Sequence, residues 1–327
     1  MGTLIADKFK AWKMECEKRF NHLKANEEEL NRIFIDLYGL QNEQHADVED
    51  KDVTVRKADL VRDIKSLISY AVGCMFGRYS LDKDGLCYAG GNFADQFVMV
   101  KSENSKQDGH KSRYYLREVV NQSDISRLPD NHLGAEVDNI IPITDEAYFA
   151  DDIVSRFEEF VRIAYGADTF EENVRFVANA LGGNGSPQDV IRSYFLNDFY
   201  ADHLKMYQRR PIYWLFSSGK KNGFKCLIYV HRYQPDTIAR IRTDYIHALL
   251  LRYQNAVSGI ESVMNEVSGC ELVSLQKQLK KLRAQMDEIN QYEEKINLLA
   301  DQMISIDLDD GVKANYAKFG DVLAVIK

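Results

Sequence analysis

The spacing of apolar and polar positions changes character several times along the chain. From Ile5 to Tyr38, the residues Phe9, Trp12, Cys16, Phe20, Leu23, Leu30, Ile33, Phe34 and Leu37 recur near helical spacing, and Gly39 follows as a stop signal. This predicts one long N-terminal helix, and a helix this long at the very start is expected to continue upstream in a longer protein. A second helix is predicted over Thr54–Phe76. Thr54 is its expected cap, and Leu60, Ile64, Leu67, Ile68, Ala71, Val72 and Met75 form its buried face. Gly73 on that helix and Gly77 just after it leave room for another backbone to approach.

From Leu81 to Pro142 the pattern breaks into short β-like runs, Gln96–Val100 and Tyr114–Leu116, separated by KSENSKQDGHKS, which reads as a surface loop. Helical spacing returns at 151–165, 170–181 and 187–208. The last of these has a clear start: the breaker LGGNGS, then Ser186 at N-cap, Pro187 at N1 and Asp189 at N3. Two aromatic and β-branched runs follow, Ile212–Phe216 and Phe224–Val230, around the linker Ser217–Gly223. They read as a hairpin. Because both runs are apolar on both faces, the base is expected to be buried and only the tip exposed.

Helical spacing then dominates from Thr237 to Val267 and from Leu272 to Ile304, with Ser268-Gly269 between them. Leu275, Leu282, Ile289, Ile296 and Met303 recur every seven residues, as do Leu272, Leu279 and Met286. Two heptad positions on a Lys/Gln/Glu background predict an antiparallel coiled-coil hairpin folded at Gly269. The fold class is therefore mainly α with small β elements (α+β): a long N-terminal helix, a three-helix plus β-hairpin module and the C-terminal helical hairpin. The expected segments are 1–80, 81–150, 151–235, 236–306 and 307–327.

Composition narrows the function classes. The chain of 327 residues carries a formal net charge of -8, which argues against indiscriminate binding of nucleic acid or membrane over the whole surface. No apolar run approaches the roughly 20 residues needed to span a bilayer, and no signal sequence opens the chain, so a cytoplasmic protein without membrane contact is expected. The five cysteines are far apart and read as reduced thiols, and neither they nor the seven histidines have the close spacing of a zinc site.

Catalytic motifs are missing. A methyltransferase acting on adenine needs a [DNS]-P-P-[YFW] loop, but no two of the five prolines are adjacent. Tyr88–Asn92 (YAGGN) is only a faint echo of a glycine-rich cofactor loop and reads as a turn. The carboxylate–Lys triplets Glu49-Asp50-Lys51, Asp63-Ile64-Lys65 and Glu293-Glu294-Lys295 lack a Pro-Asp at nuclease spacing and read as solvated helix faces. No Walker loop, H-E-x-x-H, G-x-S-x-G or EF-hand is present. Neither a catalytic residue nor a cofactor site is expected in this chain.

One stretch departs from the acidic background. Arg209–Tyr233 (RRPIYWLFSSGKKNGFKCLIYVHRY) holds six Lys and Arg and no Asp or Glu. Three helices followed by a hairpin is the order of a winged helix. In that reading Gln188 and Arg192 (with Asn197) face a DNA groove, while Lys220, Lys221 and Asn222 at the tip, the adjacent Lys225, and Arg209 and Arg210 contact phosphates. The plainer reading is also open: cations at a helix end complement its dipole, lysines keep a turn soluble, and aromatic strand residues are core.

Five stretches together resemble a known family: LNRIFIDLYGLQ (Leu30–Gln41), DIKSLISYAVGCMFGRYSLD (Asp63–Asp82), NIIPITDEAYFADDI (Asn139–Ile153), the basic stretch itself, and DLDDGVKANYAKF (Asp307–Phe319). They look like the C-terminal region of the adenine-specific DNA methyltransferases of BREX/Pgl phage-defence systems, which are related to combined restriction–modification enzymes. The resemblance implies a parent enzyme that uses S-adenosylmethionine to methylate adenine N6 in double-stranded DNA. Its cofactor and NPPY-type loops would lie upstream and map onto no residue here. The expected role of this region is to recognise or clamp target DNA beside the upstream methyltransferase domain. The alternative is a coiled-coil scaffold that docks other defence-system proteins without binding DNA itself.

Overall fold

The computed structural model describes residues 2–100, 113–116, 132–264 and 266–326. The KSENSKQDGHKS stretch lies outside them. Helices dominate, with two small antiparallel sheets.

Helix α1 (Ile5–Tyr38) runs uninterrupted and ends at Gly39 in the left-handed conformation. Apolar burial anchors its first half, where Ile5, Cys16 and Phe20 are buried and the Ile5 amide donates to Asn173 Oδ1 at 2.7 Å; its later turns are held by polar contacts, Lys24 to Asp50 at 2.8 Å and Asn31 Nδ2 to the Ala46 carbonyl at 3.2 Å. Helix α2 (Leu60–Met75) starts later than the periodicity predicts. Asp59 is the cap, accepting from the Arg62 amide, and Thr54 lies outside the helix. The better cap wins because its carboxylate also complements the N-terminal dipole. The expected inward face is buried at Ile64, Ile68, Ala71, Val72 and Met75. Gly73 makes room for a side chain rather than a backbone: a Cβ there would lie 2.4 Å from the Tyr79 ring.

The short helix α3 (Phe93–Gln96) leads into the first sheet, formed by β1 (Phe97–Val100), β2 (Arg113–Leu116) and β3 (Ala135–Glu136). Four helices follow β4 (Ile140–Ile143): α4 (Ile153–Tyr165), α5 (Phe170–Leu181), α6 (Pro187–Asn197) and α7 (Phe199–Met206). The predicted 187–208 helix is thus divided at Asp198. Its start matches the expectation, with a reciprocal capping box between Ser186 and Asp189.

The hairpin forms as β5 (Tyr213–Ser217) and β6 (Lys225–Tyr229), and it gains a third strand that the sequence did not advertise. Strand β4 pairs antiparallel with β6, Ile140 opposite Ile228 and Ile143 opposite Lys225, giving the order β4-β6-β5. Pro142 is tolerated because β4 is an edge strand. Alternate residues feed two separate cores. Tyr213, Leu215, Leu227 and Tyr229 face one formed with α2 and α4–α7. Trp214, Phe216, Cys226 and Ile228 face the other, formed with the C-terminal helices.

Helix α8 has three parts: Thr237–Arg240, a π-helical segment Ile241–Ile246, and His247–Met264. The π segment turns both Tyr245 and Ile246 inward, and the Tyr245 hydroxyl donates to Asp138 Oδ2 at 2.8 Å beside the start of β4. Helix α9 (Cys270–Ala300) returns along it. Arg283 pairs with Glu261 near the turn, and Arg242 with Glu293 at the far end, so the two helices are antiparallel. Leu282, Ile289 and Ile296 of the predicted heptad are buried, whereas Met303 lies beyond the helix and is exposed. A last short helix, α10 (Gly311–Ala317), and Phe319–Leu323 close the second core.

Candidate nucleic-acid interface

The site is built around the hairpin tip. The strands bury their aromatic residues on both faces, and of the connecting residues 218–223 only Lys220 and Lys221 are exposed, while Ser218, Gly219 and Asn222 are half-buried and Gly223 is buried. They do not form a free wing. Glu288 on α9 reaches up and grips the turn: one carboxylate oxygen accepts from Ser218 Oγ at 2.8 Å and the Gly223 amide at 3.0 Å, and the other accepts from the Lys221 amide at 2.8 Å. Gln285, one turn earlier, donates to the Lys221 and Asn222 carbonyls and to Asp145 Oδ2. The approach is close enough to require glycine. A Cβ on Gly223 would sit 2.9 Å from the Gln285 carbonyl oxygen. Asn222 takes the left-handed conformation (φ 55°), which its short polar side chain tolerates.

This grip consumes the backbone polar groups of the turn and leaves its cations outward. Lys220 and Lys221 are exposed and, among the described residues, make no ion pair. Helix α9 extends their field. Lys281 and Lys277 lie one and two turns before Gln285 on the same helical face, and Lys280 adjoins them. Lys281 is neutralised by Asp145 at 2.5 Å, whereas Lys277 and Lys280 have no ion-pair partner among the described residues. The sequence reading missed these helix lysines. The signal was present as QKQLKKLR (Gln276–Arg283), where the lysines read only as the polar background of the Leu279 and Leu282 heptad positions.

The other expected contacts are placed elsewhere. Arg192 is turned inward: its guanidinium donates to Asp152 Oδ2 at 2.6 Å and to the Thr144 carbonyl at 3.0 Å, tying α6 to the β4–α4 connection. Lys225 donates to the Leu196 carbonyl at 2.7 Å, and burial lowers the pKa of its ammonium. Arg232 is buried against the carbonyls of Phe76, Glu136 and Val137, with its guanidinium 3.6 Å from the Phe93 ring centroid. Gln188 is half-buried in the first turn of α6. Arg209 and Arg210 are exposed at the base of the hairpin, the opposite end of β5 from the lysines. The cations of the basic stretch therefore divide into a tip pair, a base pair and two inward structural groups.

Among the described residues, no cluster of three or more His, Cys, Asp or Glu could hold a metal ion. No helix among them is long and apolar enough to cross a membrane. A second surface feature is apolar. The far end of α1 exposes Leu30, Ile33, Phe34 and Leu37, each by more than half, along one helical face.

No family model matches the chain. Two curated relatives do. The adenine-specific methyltransferase PglX of Lacticaseibacillus casei (strain Zhang) is 43% identical over 315 residues, which is 95% of this chain and 24% of the relative. The adenine-specific methyltransferase BrxX of Escherichia coli O9:H4 (strain HS) is 40% identical over 271 residues, 81% of this chain and 20% of the relative. The chain spans about a quarter of the length of the relatives it matches. Identity at this level over most of its own length makes the chain a region of a BREX/Pgl-type adenine-specific methyltransferase.

Proposed function

We propose that this chain is the non-catalytic DNA-facing region of a cytoplasmic adenine-specific DNA methyltransferase, a recognition or clamp module beside the upstream domain that binds S-adenosylmethionine and transfers the methyl group. The observation that carries this reading is the rigid tip. Lys220 and Lys221 are unpaired among the described residues, presented by a turn locked to Glu288, and flanked by Lys277 and Lys280. Cations held at fixed positions neutralise phosphates with little loss of chain entropy, and phosphate contacts set the register of a protein on duplex DNA. The acidic remainder limits binding elsewhere on the surface.

The test is binding of duplex DNA by this chain, measured by fluorescence anisotropy across salt concentration. The Lys220→Glu/Lys221→Glu variant is expected to bind more weakly, with its log–log salt slope shallower by about 2, the loss of two phosphate contacts. An unchanged slope would remove the tip from the interface.

A second reading is favoured by the exposed stripe on α1. This stripe serves as a packing surface for the rest of the parent polypeptide, while the seam between α8 and α9 is satisfied within the chain. In full-length protein, cysteines placed at Ile33 or Leu37 are then protected from thiol reagents, and in the isolated chain they react freely. Equal reactivity in both would dismiss it.

A further inference from the structure

At the base of the hairpin, opposite the tip, a groove of about 1140 Å³ is lined by the start of β5, by α10 and by the C-terminal segment. Its lining is largely apolar and includes Ile212, Val312 and Val325 together with the buried Trp214 and Leu323. The C-terminal residues are fixed in place as an incipient fourth strand, since the Ala324 amide donates to the Leu215 carbonyl at 2.8 Å. Val325 nevertheless remains 72% exposed on the groove side.

The charges of the groove are unbalanced. Its two acids are already engaged: Asp310 pairs with Lys318 at 3.8 Å, and Asp321 pairs with Lys295. Its cations Arg209, Arg210 and Lys313 have no ion-pair partner among the described residues. The arginines follow the turn that ends α7, where Gln208 and Arg209 adopt positive φ (50° and 62°) and the Arg209 amide donates to the Leu204 carbonyl at 2.8 Å. The groove thus pairs an apolar floor with three uncompensated positive charges.

We propose that this groove binds a short acidic–apolar peptide segment of a partner protein, with aliphatic side chains against Ile212 and Val325 and carboxylates against Arg209, Arg210 and Lys313. The groove is open along its length and has room for several side chains of a chain segment. A nucleic-acid strand fits less well. It needs exposed aromatic faces for its bases, whereas Trp214 is buried and packed edge-on against Tyr316 and Phe319, and the half-buried Tyr316 and His231 are engaged with the Ala324 carbonyl and the Tyr229 ring.

The test uses the purified chain and an array of twelve-residue peptides in three sets: Asp/Glu alternating with Leu/Ile, Lys alternating with Leu/Ile, and Asp/Glu alternating with Ser. A single-stranded twelve-base oligonucleotide serves as competitor. Members of the first set alone are expected to bind. Val325→Asp, at an exposed position, and Arg209→Glu/Arg210→Glu are each expected to weaken them at least about tenfold through charge repulsion. Lys220→Glu/Lys221→Glu, at the far end of the hairpin, is expected to leave peptide binding unchanged, which separates this site from the DNA-facing tip. Absence of binding by the first set, equal binding by the other sets, insensitivity to both groove variants, or displacement by the oligonucleotide would each overturn the proposal.

Discussion

At the scale of single residues, Glu288 and His203 carry the most. Glu288 accepts three hydrogen bonds from the hairpin tip, two of them from backbone amides. Glu288→Ala leaves those donors without their charged acceptor and is expected to cost about 2–3 kcal/mol in denaturant unfolding. The Lys221 and Gly223 amides should then exchange hydrogen faster. His203 is buried, and its Nε2 accepts from the Tyr213 amide at 3.2 Å, a bond that only the neutral ring can make. Burial, aided by the Arg78 charge, lowers its pKa from 6.5 to about 3. The unfolded chain therefore binds the proton first. The stabilisation is complete above pH 6.5 and is lost as pH falls toward 3, at up to about 1.4 kcal/mol per pH unit. His231, shifted the same way, adds to the trend. A pH series of urea midpoints for the native chain and for His203→Gln checks this; the variant should show a flatter acid limb. Neither role was legible in the sequence. Glu288 is one of many glutamates on a helix, and its meaning depends on a turn 65 residues away in the chain.

At the scale of elements, local patterns were read well where they stop within the element. The 34-residue span of α1 and the Ser186–Asp189 start of α6 need only their own residues, and both are found as expected. Thr54 is not the α2 cap: both Thr and Asp cap helices, and only the backbone distinguishes Thr54 from Asp59. Strand β4 was missed because NIIPI is short and contains proline, and a strand of that kind is defined by its partner across the sheet. The heptads of α9 were legible. Their burial is shared between α8 and the hairpin, however, since Phe224 packs near Tyr292, so a strict two-helix seam is too narrow a description. Ile289→Ala is expected to cost about 2–5 kcal/mol, while Leu298→Ala, on the exposed side of the same helix, should change thermal stability hardly at all.

At the scale of the whole molecule, the β4-β6-β5 sheet joins two cores that cannot be built separately. Its apolar-on-both-faces composition was visible in the sequence, whereas the identity of the two covering layers was not, because they come from helices on either side of the hairpin in the chain. A fragment ending at residue 235 keeps every helix of the first core but leaves Trp214, Phe216 and Ile228 bare. It is expected to lose cooperative unfolding and to bind a hydrophobic dye, as judged by calorimetry and ANS fluorescence. The same architecture has a consequence during synthesis. β5 and β6 can pair locally, but their second covering layer arrives only after α8 and α9 have been made, so YWLFS and KCLIY spend an interval as a sticky ribbon with one face uncovered. The lysines at the turn then act as gatekeepers, holding neighbouring copies of that ribbon apart by repulsion before any partner is met.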